Sequence, residues 1–158
     1  MATLTLDPLR SQSVAQVEFP EFPEREPVDR VAASVQSALW AIEPGRRAGE
    51  RRRETRHPYP YPIHLTPYGE NGRPQVDRTL VVIGKHLSPH GLDFYCRQPL
   101  AAKRVIASLD CGREGWIGLV LELSWCRFGR HGWYDNGGRF VAHVASPLLE
   151  LRDQPRVA

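Results

Sequence analysis

The chain has little of several things, and each shortage excludes a class of protein. Its three cysteines, Cys96, Cys111 and Cys126, are unevenly spaced and form no C-x-x-C pair. An odd set of that kind gives no disulfide framework and suits free thiols in a reducing compartment. No stretch approaches the ~18 uninterrupted apolar residues of a membrane-spanning helix. Residues 1–20 carry Asp7, Arg10 and Glu18 and no long apolar run. No secretory signal peptide is therefore expected, and the expected location is cytoplasmic. Strong net charge is missing too: the formal balance is +3 over 158 residues. Catalytic signatures are also missing, with no G-x-S-x-G, no Walker loop and no H-E-x-x-H. The six histidines are scattered. His86 and His90 stand four apart, but Pro89 and Gly91 make that stretch a turn, so no metal site is expected. The class left is a binding or interaction module; an enzyme is not expected, and neither is a protein that coats nucleic acid.

What is present falls into five stretches. Residues 1–26 are polar and broken by proline, as in Phe19-Pro20-Glu21-Phe22-Pro23, and read as a disordered arm. Residues 27–45 read as an amphipathic helix. Val28, Val31, Ala32, Val35, Ala38, Leu39 and Ile42 recur at three- and four-residue steps, Pro27 suits the start, and Pro44-Gly45 stops it. Its apolar stripe is expected to pack on the domain that follows; pairing with a second copy is the other option. Residues 46–58 form an arginine-rich linker, with six arginines between Arg46 and Arg56. Residues 59–145 alternate apolar and polar positions in short strands, expected near 59–65, 79–85, 91–95, 104–110, 116–125 and 138–145. Turn chemistry separates them at Pro89-His90-Gly91, Cys111–Gly115 and Asp135–Gly138. One apolar face per strand, with no helices between, predicts an all-β fold: a six-stranded antiparallel barrel, closed so that no edge is exposed. Residues 146–158 read as a short helix and tail, with Ser146 as cap and Pro147 in the first turn.

Two pieces carry the chemistry. The first is Arg52-Arg53-Glu54-Thr55-Arg56, an R-x-x-x-R just ahead of the first strand. The second is His86-Leu87-Ser88-Pro89-His90-Gly91, between two strands. A guanidinium forks onto the O6 and N7 edge of guanine or onto phosphate oxygens, and its flat face stacks on a purine. A serine hydroxyl can donate to phosphate or hold the turn, and glycine permits close backbone approach.

This order of features resembles the PilZ domain. That family places R-x-x-x-R before the first strand of a six-stranded barrel and [D/N]-x-S-x-x-G where the second and third strands meet. Arg52 and Arg56 match the first motif; Ser88 and Gly91 match the second. Leu87–Phe94 is similar to the family's L-S-x-x-G-L-x-F core. Trp125-Cys126-Arg127 with Tyr134 and Gly138–Phe140 resembles its closing hairpin. The resemblance covers about residues 50–145 and implies a cytoplasmic bacterial receptor module for cyclic di-GMP. It has no catalytic residues and no cofactor beyond that ligand, and it signals to an unidentified protein partner. Arg52, Arg56, His86, Ser88 and Gly91 would contact the ligand, with Arg51 and Arg53 in support. His86 departs from the family's Asp or Asn. A neutral imidazole offers one donor and one acceptor, so it cannot accept guanine's N1–H and N2–H2 together. Losing a charge-assisted hydrogen bond costs about 1.5–3 kcal/mol. Two alternatives remain: a protein-interaction module that binds no nucleotide, and nucleic-acid binding through the basic arm.

Overall fold

The structure, a computed structural model, describes residues 26–42, 56–129 and 131–148. Arg51, Arg52, Arg53, the arm at 1–25 and the tail at 149–158 lie outside the described residues, as does the expected C-terminal helix beyond Leu148. A helix, α1 (Val28–Ile42), is followed by seven strands. These are β1 (His57–Pro58), β2 (Pro62–Pro67), β3 (Leu80–Leu87), β4 (Gly91–Cys96), β5 (Arg104–Asp110), β6 (Trp116–Phe128) and β7 (Tyr134–Val144).

Six of the strands close a ring. The order β3-β2-β5-β6-β7-β4 returns to its start because β3 also pairs with β4, and every pairing is antiparallel. The expected all-β barrel is therefore what the chain forms. Its interior is apolar and fully buried at Ile63, Leu65, Leu87, Phe94, Leu109, Leu119 and Leu121. The helix stripe finishes the same core: Val31, Val35, Ala38 and Leu39 are buried with it, and α1 packs on β5, β6 and β7. Burying a Val or Leu side chain stabilises by about 1.5–3 kcal/mol, so these four residues hold α1 to the barrel. Intramolecular docking, the first of the two options for this stripe, is the one observed.

Two sequence expectations need correction. Asp135–Gly138 is not a turn; it lies inside β7, paired with both β4 and β6. The β6–β7 connection falls after Phe128 instead, where the Gly129 N–H donates to the Trp133 carbonyl at 2.7 Å. Turn-like composition there serves close packing. A Cβ on Gly137 would sit 2.3 Å from the Trp125 ring, and one on Gly138 would sit 2.3 Å from the Glu122 carbonyl oxygen. The second correction concerns β6. Strict alternation puts Leu119, Leu121, Leu123 and Trp125 on one face. An extra residue, Ser124, bulges β6 between Leu123 and Trp125 and reverses that period, so Trp125 turns to the outside; Val120, on the face opposite Leu119 and Leu121, is buried as well.

The end of the described chain is tied down by polar contacts. Ser146 and Ser108 share a buried hydroxyl–hydroxyl hydrogen bond of 2.7 Å, and the Leu148 N–H donates to the Ser146 hydroxyl at 3.1 Å. Ser146 thus caps backbone as its type suggests.

Candidate functional site

The two-residue strand β1 decides where the basic linker goes. His57 pairs with Leu87 and Pro58 with His86, at the far end of β3. This register carries Arg56, the last arginine of the run, to the start of the second motif. Arg56, His86, Ser88 and Gly91 then line one open cleft of about 640 Å³. Glu26, Val31, Asp93, Trp125 and Arg139 are among the other residues of its walls. Clefts of about 300–1,000 Å³ are the usual size for small-molecule sites. A second hollow, of about 960 Å³, lies elsewhere and includes Tyr68, Arg78, Arg97 and Trp133. It contains none of the residues singled out by sequence.

Ser88 is engaged in the turn itself. Its hydroxyl accepts from the His90 N–H at 3.3 Å and the Gly91 N–H at 3.2 Å, and its own N–H donates to the Gly91 carbonyl at 3.0 Å. Gly91 is required by packing: a Cβ there would lie 2.1 Å from the Gly138 carbonyl oxygen on β7. Both residues therefore shape the rim of the cleft through the backbone, and they close β4 against β7.

The charged groups gather around a residue that sequence reasoning passed over. Asp93 faces His86 directly across the β3–β4 ladder. Its Oδ2 lies 3.5 Å from Arg56 Nη1 and 3.7 Å from His86 Nδ1. The Asp93 side chain is only 14% exposed, whereas that of Arg56 is 71% exposed. His86 Nδ1 is buried and has no hydrogen-bond partner. Nearby, Lys85 at the β3 bulge pairs with Asp135 on β7 at 3.0 Å. The Asp135 carboxylate, accepting that hydrogen bond, raises the Lys85 ammonium above its ordinary range.

No protein-family model matches the chain, and no curated protein matches it either. Solved structures of MrkH are similar to it. K. pneumonia MrkH in its apo state is matched at 16% identity and a TM-score of 0.41, over 57% of this chain and 44% of its own. Another crystal of K. pneumonia MrkH is matched at 17% identity and a TM-score of 0.41, over 65% and 46%. A third structure, of MrkH described as a novel c-di-GMP-dependence transcription regulatory factor, is matched at 16% identity and a TM-score of 0.36, over 65% and 47%. The chain thus spans less than half the length of these MrkH chains.

Among the described residues, no cluster of three or more His, Cys, Asp or Glu could hold a metal ion, and no helix is long and apolar enough to cross a membrane. Asp93 could have been found from the pattern. It is the one carboxylate in the alternating segment after the glycine, at a position whose neighbours Leu92 and Phe94 point inward. Trp125 could not have been found so, because a bulge reverses its side.

Proposed function

We propose that this chain is a PilZ-type receptor module that binds cyclic di-GMP in the cleft between β1, the β3–β4 turn and β7, and that it works without catalysis. The observation that carries this reading is the β1–β3 register. It draws Arg56 from the basic linker to the same cleft as His86, Ser88 and Gly91. The last residue of the first motif and the residues of the second, some thirty positions apart in sequence, line one cleft of suitable size.

The chemistry follows from the groups present. Arg56, exposed and held to Asp93 only at 3.5 Å, would leave it to fork onto a phosphate or a guanine edge. Arg139, also in the cleft wall, adds positive potential for a dianionic ligand. Arg52, four residues upstream of Arg56, would supply the second guanidinium, with Arg51 and Arg53 contributing field. Glu26 and Val31 put the start of α1 in the cleft wall, so bound ligand would contact the helix. A ligand that favours one arrangement of linker and helix shifts their populations, which is how a binding event would reach a protein partner.

Isothermal calorimetry with cyclic di-GMP tests the reading. Binding by the intact chain, lowered at least tenfold by Arg56→Ala, is the expected result. No heat at high micromolar ligand would sink the receptor reading and leave the nucleotide-free interaction module in its place.

A further inference from the structure

We propose that Asp93 is the residue that reads the base: its carboxylate accepts the paired donors on the Watson–Crick edge of a guanine held in the cleft. This rests on the cyclic di-GMP reading of that cleft and goes further by naming what distinguishes guanine from adenine there.

The argument starts from the strand register. Pro58, His86, Asp93, Gly137 and Trp125 form one row across β1, β3, β4, β7 and β6. Residues directly opposite in an antiparallel pair have Cβ atoms about 4.5–5.5 Å apart. A carboxylate at 93 therefore reaches nearly the same space as a side chain at 86, one strand over. The ends of the row bound the site: Arg56 precedes Pro58, and the Trp125 ring lies over Gly137.

Asp93 is nearly buried and only loosely engaged. Among the described residues its side-chain partners are Arg56 at 3.5 Å and His86 at 3.7 Å, both on Oδ2. Charge-assisted N–H to O bonds close to about 2.7–2.9 Å. A carboxylate this sheltered needs better donors than these. The two parallel donors of guanine, N1–H and N2–H2, match its two oxygens as a guanidinium would. Adenine presents an acceptor at N1, which a carboxylate repels. His86 would act here as a positioning residue: its buried Nδ1, which makes no hydrogen bond, stands 3.7 Å from Oδ2 on the neighbouring strand.

Calorimetry of the intact chain with cyclic di-GMP and with cyclic di-AMP tests this. The wild type should prefer the guanine ligand by about 100-fold or more. Asp93→Asn, which keeps the volume and loses the paired acceptor, should weaken cyclic di-GMP about 10- to 100-fold and leave cyclic di-AMP unchanged. A folded Asp93→Asn protein with the wild-type preference overturns the inference while the cleft reading stands. A wild type that binds neither nucleotide overturns both. If Asp93→Asn does not fold, the double variant His86→Asp with Asp93→His carries the test. It returns the carboxylate to the opposite strand and should keep guanine preference; equal affinity for the two ligands overturns the proposal.

Discussion

Gly91→Ala is the substitution on which fold and site depend together. Its Cβ would fall 2.1 Å from the Gly138 carbonyl oxygen, 3.2 Å from the Gly138 carbonyl carbon and 3.5 Å from Arg139 Cα. All three atoms are backbone, so no side chain can rotate away, and β4 must part from β7. Overpacking of this kind costs about 1–3 kcal/mol, and backbone neighbours put it in the upper half. Replacing a strand glycine recovers roughly 0.5–1 kcal/mol. The net expectation is about 2 kcal/mol, or a fall of roughly 8 °C in Tm at about 4 °C per kcal/mol. Urea unfolding followed by tryptophan fluorescence measures it directly. The matched control is Gly112→Ala, where φ is +64° and no atom lies within 4 Å of the added Cβ. That control should cost only the backbone strain, about 1 kcal/mol. If Gly91→Ala is as stable as wild type, or no worse than the control, the reasoning about the β4–β7 closure is wrong.

Two further outcomes follow from the packing and the ion pairs. Val35→Ala removes two buried methyl groups from the α1 stripe, where Val35 is 1% exposed. It should cost about 2 kcal/mol at every protein concentration. A loss that grows on dilution would mean that the stripe pairs with another copy instead. Lys85 carries a raised pKa because Asp135 accepts its hydrogen bond. The sign follows: that stabilisation is fully present below the ordinary lysine value and is lost as pH climbs through the raised one. Asp135→Asn should therefore lower stability by about 0.5–1 kcal/mol at neutral pH, and the gap to wild type should shrink as pH climbs past the ordinary lysine range. A gap that stays constant across that alkaline window contradicts the assignment.

Much of the fold was legible because strand burial follows period two. Leu92, Phe94 and Cys96 alternate inward along β4 as the pattern requires, and Val31, Val35, Ala38 and Leu39 keep helical spacing on α1. The reading failed where local composition and tertiary packing pull apart. Asp135–Gly138 has the residues of a turn, yet its glycines are needed where Trp125 and Glu122 crowd the strand. The bulge of β6 at Leu123/Trp125 was invisible for a similar reason: nothing in an alternating run marks the point at which a strand must bend to close a barrel. At the site, Arg56, His86, Ser88 and Gly91 were identifiable from spacing. The partnership of His86 with Asp93 was not, since it is a matter of register across two strands rather than of distance along one.

Chemical-shift mapping of the nitrogen-15-labelled chain, titrated with cyclic di-GMP, tests the central claim most directly. The account predicts saturable shifts at Arg56, Ser88, Gly91, Asp93, Trp125 and Gly138, with the hollow around Tyr68, Arg78 and Leu100 unmoved. Shifts confined to that second hollow, or none at saturating ligand, would contradict it.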